Sequence, residues 1–210
     1  MNSGFWIESL TVENLGPFAG RRRFEFGREP EEPWTCILGP GGSGKTYLVK
    51  AICWVFDLPS TLMSVRGDLA VNDTGEYFSV EADFKLNGDN CSVTRLSNKP
   101  QDFVPPQASV IYFDEEWFQS SVAGEFYDNG LHGSGALLVL ALTRFLDDLA
   151  KHGDFRPIVF DAMLGRLDMR QILEAVALLA SHPAQMIFFG NKYDCAALLE
   201  HGRAARVLEI

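Results

Sequence analysis

Gly39-Pro40-Gly41-Gly42-Ser43-Gly44-Lys45-Thr46 satisfies the spacing GxxxxGK[ST] without exception. This pattern handles phosphate. Its glycines let backbone N–H groups turn inward around anionic oxygens, and a helix opening at its end adds a positive dipole terminus. Lys45 would reach the β- and γ-phosphates, and Thr46 would hold Mg²⁺. Tyr47 follows directly and joins the expected binding set.

The loop works only between a strand and a helix, and both flanks are present. WTCIL, Trp34 to Leu38, reads as a short buried strand, and YLVKAICWVF after the loop has helical spacing. Upstream, FWIESLTVENL reads as a strand, with RRRFEF as its antiparallel partner across a Gly-Pro turn. From Tyr77 to Leu96, EYFSVEADF and NCSVTRL flank Asn87-Gly88-Asp89-Asn90, a hairpin signal. ASVIYF (108–113) is a further apolar strand. The remainder alternates: a long helix ALLVLALTRFLDDLAK, strand PIVFD, helix MRQILEAVALLASH, strand QMIFF, helix CAALLEHG, strand ARVLEI. Such alternation implies a parallel sheet with helices packed on it. The expected organisation is one domain over 1–210, with lobe I at about 1–117 and lobe II at about 118–210.

With 47% apolar and 22% charged residues, the chain can build a core, which excludes a disordered class. No apolar run reaches the ~18 residues that span a bilayer, so no membrane partner is expected. The N-terminus shows no secretory pattern. Cys36, Cys53, Cys91 and Cys195 form no CxxC pair and suggest buried thiols in a reducing cytoplasm. A net charge of -10 speaks against wrapping by nucleic acid. Arg21-Arg22-Arg23 is the one cationic run, a solvated hairpin edge or a DNA contact, the edge being favoured. His152, His182 and His201 lack metal-ligand spacing.

FWIESLTVENLGPFAGRRRFEF followed by WTCILGPGGSGKTYLVKAI resembles the N-terminal head segment of the SMC/RecF/RecN branch of ABC-type ATPases. The resemblance covers nearly the whole chain. It implies an α/β P-loop NTPase fold, an ABC-type head with an antiparallel β lobe and a parallel α/β lobe. It also implies ATP with Mg²⁺ as cofactors and a homodimer or heterodimer with another ATPase head. The setting would be DNA repair, chromosome maintenance or anti-phage defence, with an effector protein or DNA as further partners.

Matched motif by motif, the resemblance makes Asp161 the residue that holds Mg²⁺ through water, at the end of PIVFD. Leu131-His132-Gly133-Ser134 falls at the signature loop, whose Gly133 and Ser134 would touch nucleotide across a dimer. Leu167-Asp168 matches the dimer-facing loop, and Asn191 the switch residue on the γ-phosphate. Arg66 lies where some relatives carry a phosphate- or DNA-contacting arginine. Several positions depart from the pattern. Gly41 replaces an asparagine, Leu131 a serine, and Asn191 a histidine. Ala162 stands where the glutamate that polarises the attacking water belongs. Losing such a base costs ~10²–10⁴-fold. Binding should therefore survive while hydrolysis is slow or delegated. Asp114 and Glu115, near the expected Q-loop, are substitutes beside the metal and water, with Gln119 the nearest glutamine. An acidic helix start is the plainer explanation for them.

Three other readings compete. VIYFDEE has the hhhhDE form of a AAA+ or RecA-like ATPase, with Asp114 on Mg²⁺ and Glu115 as base, but this leaves PIVFD and Leu167-Asp168 unexplained. Asn191-Lys192-Tyr193-Asp194 spells the NKxD guanine-reading motif, yet the glycine after Asp161 comes one position late for DxxG. The third reading is a non-hydrolysing, ATP-gated interaction module, motivated by Ala162.

Overall fold

The opening strand β1 (Phe5–Leu15) turns at Gly16-Pro17 and returns as β2 (Phe18–Glu25). Asn14 adopts φ 51° at this turn, and its Oδ1 accepts the Gly20 N–H at 3.0 Å. A second hairpin, β4 (Ser79–Leu86) and β5 (Asp89–Leu96), closes through Asn87-Gly88 with both residues at positive φ, as the sequence predicts. These strands form an antiparallel sheet in the order β2-β1-β4-β5. The computed structural model describes residues 4–27, 31–56, 76–99, 104–105, 107–113, 135–161 and 163–210.

The second sheet is wholly parallel. Its order is β6-β7-β8-β3-β9, from β3 (Trp34–Leu38), β6 (Ile111–Phe113), β7 (Ile158–Asp161), β8 (Met186–Gly190) and β9 (Ala205–Glu209). Every residue of β3 and β8 is buried, the expected state of central strands covered on both faces. β3 and β6 precede residue 117 and β7, β8 and β9 follow it, so the parallel sheet draws on both sides of that position.

Helix α1 (Lys45–Val55) lies between the sheets and touches β1, β4 and β5 on one side and β7 and β8 on the other. It is apolar nearly all round, with Leu48, Val49, Ala51, Ile52, Cys53 and Val55 buried. Strand alternation sorts the parallel sheet's side chains. Ile37, Val159, Ile187 and Phe189 join the α1 core, while Cys36, Leu38, Phe160 and Phe188 face the opposite helices. Those helices are α2 (Gly135–His152), α3 (Met169–Ser181) and α4 (Lys192–His201).

Local chemistry sets their ends. After α2, Gly153 at φ 66° donates to Ala150 O, and Asp154 N donates to Leu149 O, a Schellman stop. Asp168 caps α3: it accepts the Gln171 N–H at 2.9 Å, while Gln171 Oε1 accepts the Asp168 N–H at 3.0 Å. Helix α4 starts earlier than its apolar residues suggest, because Asn191 Oδ1 accepts the Tyr193 N–H at 2.8 Å. No described helix is long and apolar enough to cross a membrane. The fold is the expected one, an antiparallel β lobe joined to a parallel α/β lobe.

Candidate nucleotide-binding site

Strand register gathers the candidate residues at one edge of the parallel sheet. Leu38 pairs with Gly190 and Phe189 with Asp161, so β3, β8 and β7 end together. The Gly39 N–H donates to Gly190 O at 3.3 Å, which sets Asn191 level with the first residue of the loop. The carboxyl ends of parallel strands form the crevice where open α/β sheets bind ligands. Lys45, Thr46, Asp161 and Asn191 all belong to this edge.

The loop runs straight from β3 into α1. Gly42 adopts φ 80° and Gly44 φ 105°, conformations that L side chains rarely take. A Cβ on Gly41 or Gly42 would meet nothing within 4 Å, and both residues are exposed, so this side of the loop borders open space. A Cβ on Gly39 would collide with Ser43 Oγ and stand 2.7 Å from Ile210 O. Lys45 Nζ folds back over the loop and donates to Gly39 O at 2.6 Å and Pro40 O at 2.8 Å. Thr46 is exposed, and Tyr47 is half-buried. The α1 N-terminus opens without a side-chain cap, leaving its first N–H groups for a ligand.

The β1–β2 turn braces this loop, a contact that the sequence does not announce. A Cβ on Gly44 would stand 2.5 Å from Phe18 Cζ and 2.8 Å from Pro17 Cγ. A Cβ on Gly16 would collide with the Tyr47 ring. At the far end of α1, Arg95 Nη1 donates to Trp54 O at 2.5 Å, a cation at the helix C-terminus. Arg95 is only 3% exposed, so its charge is committed to the interior.

Hard oxygen donors at Thr46 and Asp161, with an amide-lined loop between two glycines at positive φ, fit a phosphate chain carrying Mg²⁺. Cys36, just upstream of the loop, is no nucleophile. Its hydrogen bond with Cys195, then burial, push its thiol far above the ordinary range. Among the described residues no three of His, Cys, Asp and Glu gather into a metal-holding cluster.

Other sequence candidates divide in two. Asp168 lies after the short 3₁₀ turn (Met163–Arg166), with its carboxylate used in the α3 cap. Arg21 and Arg23 form ion pairs with Glu81 at 2.7 Å and Asp83 at 2.8 Å, as expected of a solvated edge. Arg66, Asp114, Glu115, Gln119, Leu131, His132, Gly133, Ser134 and Ala162 lie outside the described residues.

Comparison with known proteins agrees with this geometry. Residues 9–109, from β1 through the phosphate loop to the approach of β6, match a family model described as an AAA domain. No curated protein matches the chain in sequence. The SMC head domain from Thermotoga maritima superposes with a TM-score of 0.59 at 18% identity, over 91% of this chain and 92% of that one. An Smc head bound to the C-terminal winged-helix domain of ScpA gives a TM-score of 0.59 at 13% identity, over 91% of each chain. An Smc head with an extended coiled coil from Pyrococcus furiosus, bound to the C-terminal domain of ScpA, gives 0.51 at 10% identity, covering 92% and 91%. The fold is that of SMC head domains.

Proposed function

We propose that this chain is an ATP-binding head of the SMC/RecF kind that dimerises on nucleotide and hydrolyses ATP slowly or with a partner's help. The observation that carries this reading is the phosphate loop itself, Gly39 to Thr46, at the carboxyl edge of the parallel sheet, with Lys45 Nζ drawn over it. The loop amides and the α1 N-terminus would hold the β- and γ-phosphates, and Lys45 would neutralise them. Thr46 would ligate Mg²⁺ directly and Asp161 through water, and Asn191 would hydrogen-bond the γ-phosphate. When bound, Mg²⁺ neutralises charge between the phosphates.

Asp161 is favoured over Asp114 as the metal aspartate by strand order. β7 lies two strands from β3, whereas β6 lies three away, at the sheet edge. Asn191, whose Oδ1 caps α4, has a role outside base reading, which disfavours the guanine alternative.

Ala162 supplies no base, so Asp114, Glu115 or a second head would assist hydrolysis. The dimer would set Gly133 and Ser134 of one copy against the loop of the other. Some SMC heads of this fold are bound to ScpA domains, and a comparable effector protein fits a head that signals by dimerising. The same reading implies a cytoplasmic protein of DNA repair, chromosome maintenance or defence. The test is solution mass with and without Mg-ATP, beside calorimetry of ATP and GTP. ATP-dependent doubling of mass that Lys45→Ala abolishes supports the proposal. A mass indifferent to ATP at saturating nucleotide refutes it.

A second reading, an ATP-gated module without turnover, is favoured by Ala162 alone. Brisk hydrolysis by the isolated chain would exclude it.

A further inference from the structure

Strand alternation splits the arginine run of β2. Arg21 and Arg23 lie on the outer face of the antiparallel sheet, paired with Glu81 and Asp83 across β1. Arg22 points to the opposite face, the one that carries Phe18 and Phe24. Its Cζ lies 5.8 Å from the Phe18 ring centroid. Phe18 is 2% exposed, and its ring edge fills the space beside Gly44, the last glycine of the phosphate loop. One aromatic ring thus touches both the loop and the Arg22 guanidinium. Arg22 is exposed and has no carboxylate partner among the described residues.

We propose that Arg22 contacts the base of the nucleotide whose phosphates the loop holds, its guanidinium stacked between the Phe18 ring and the purine. The inference rests on the nucleotide-binding reading. The phosphate oxygens have their own partners in the loop amides and Lys45. A guanidinium laid over an aromatic ring presents a second flat face, which suits a planar π ligand better than a tetrahedral anion. The position also fits. The β1–β2 turn packs on the loop and the first turn of α1, with Pro17 and Phe18 against Gly44 and Gly16 against Tyr47, so β2 begins beside the phosphate loop.

The test compares Mg-ATP with Mg-tripolyphosphate by calorimetry for the full chain and for Arg22→Ala, Arg22→Lys and Arg21→Ala. Arg22→Ala should weaken ATP roughly three- to tenfold, the range of a cation over a π face at a partly exposed site, and leave tripolyphosphate unchanged. Arg22→Lys, which keeps the charge but loses the plane, should behave nearly as alanine does. Arg21→Ala should bind ATP as the wild type does. Thermal melting checks that each variant is folded, and the lysine variant carries the comparison if the alanine variant melts early. Unchanged ATP affinity in Arg22→Ala, with a binding wild type, overturns this inference alone. Equal weakening of ATP and tripolyphosphate also overturns it, by making Arg22 a phosphate contact. A wild type that binds neither probe overturns both this inference and the nucleotide-binding reading.

Discussion

Gln185 pairs with both backbone groups of Ile7. The Ile7 N–H donates to Gln185 Oε1 at 2.9 Å, and Gln185 Nε2 donates to Ile7 O at 2.7 Å. The β1–β2 ladder begins at Ser9, so this buried amide takes the place of a strand neighbour just beyond it. Gln185 also immediately precedes β8, so one side chain joins the two sheets. Gln185→Ala should leave two buried backbone groups unpaired, each costing ~1–3 kcal/mol. Urea unfolding should show a loss of about 2–4 kcal/mol, with nucleotide affinity of the folded fraction little changed.

Lys45→Met should separate binding from folding. Among the described residues the ammonium bonds loop carbonyls, and it is the loop's own cation. Removing a charge-assisted contact with phosphate should weaken Mg-ATP by roughly 10- to 100-fold. Calorimetry measures this, and the melting temperature should move by no more than a few degrees.

Two glycines at similar φ should respond differently to alanine. Gly88, at φ 92°, has open space around a Cβ, so Gly88→Ala meets only the backbone penalty, about 1–2 kcal/mol. Gly44, at φ 105°, has the Phe18 ring and Pro17 against it, so Gly44→Ala adds a clash to that penalty. It should cost more than about 2 kcal/mol and also lower ATP affinity, because the β1–β2 turn must move. Parallel chemical denaturation of the two variants tests the ranking.

His182 makes stability fall on mild acidification. Burial holds its native pKa below the ordinary 6.5, and the Asp154 carboxylate only partly offsets this. Its Nδ1 accepts the Ala184 N–H at 3.3 Å, Arg203 donates to its carbonyl, and Nε2 is buried with no hydrogen-bond partner among the described residues. Below pH 6.5 the unfolded chain binds the extra proton first, so the stability present above 6.5 declines as pH drops toward the lower native value. Unfolding midpoints at pH 7.5 and about 5.5 should differ, and His182→Gln should flatten the slope. Asp154 acts separately. Burial opposes its charge, but hydrogen bonds and attraction from Arg156 prevail and lower its pKa, so its contribution is lost only below 3.8.

Ala162→Glu should restore a base at the position where the sequence pattern expects one. On the slow-hydrolase reading, turnover rises by roughly 10²-fold, measured as phosphate release. Unchanged turnover would indicate that another group already serves the attacking water, or that the chain is the ATP-gated module.

Sequence by itself determined the parts whose physics is local. The phosphate loop is legible because glycine, lysine and threonine must stand at fixed intervals for a backbone to wrap a phosphate. β1, β3 and the Asn87-Gly88 hairpin are legible because side-chain period and turn chemistry act over a few residues. The Asp168 cap and the Gly153 stop belong to the same class, since both are closed by neighbours in the chain. Tertiary structure alone decided what depends on residues far apart. It placed β8 between β3 and β7, which brings Asn191 and Asp161 to the loop's edge. It set Phe18 against Gly44 and under Arg22, and gave Gln185 to Ile7. These choices follow from packing two sheets around one buried helix. The gain from that burial is summed over the whole core and is written in no single window of sequence.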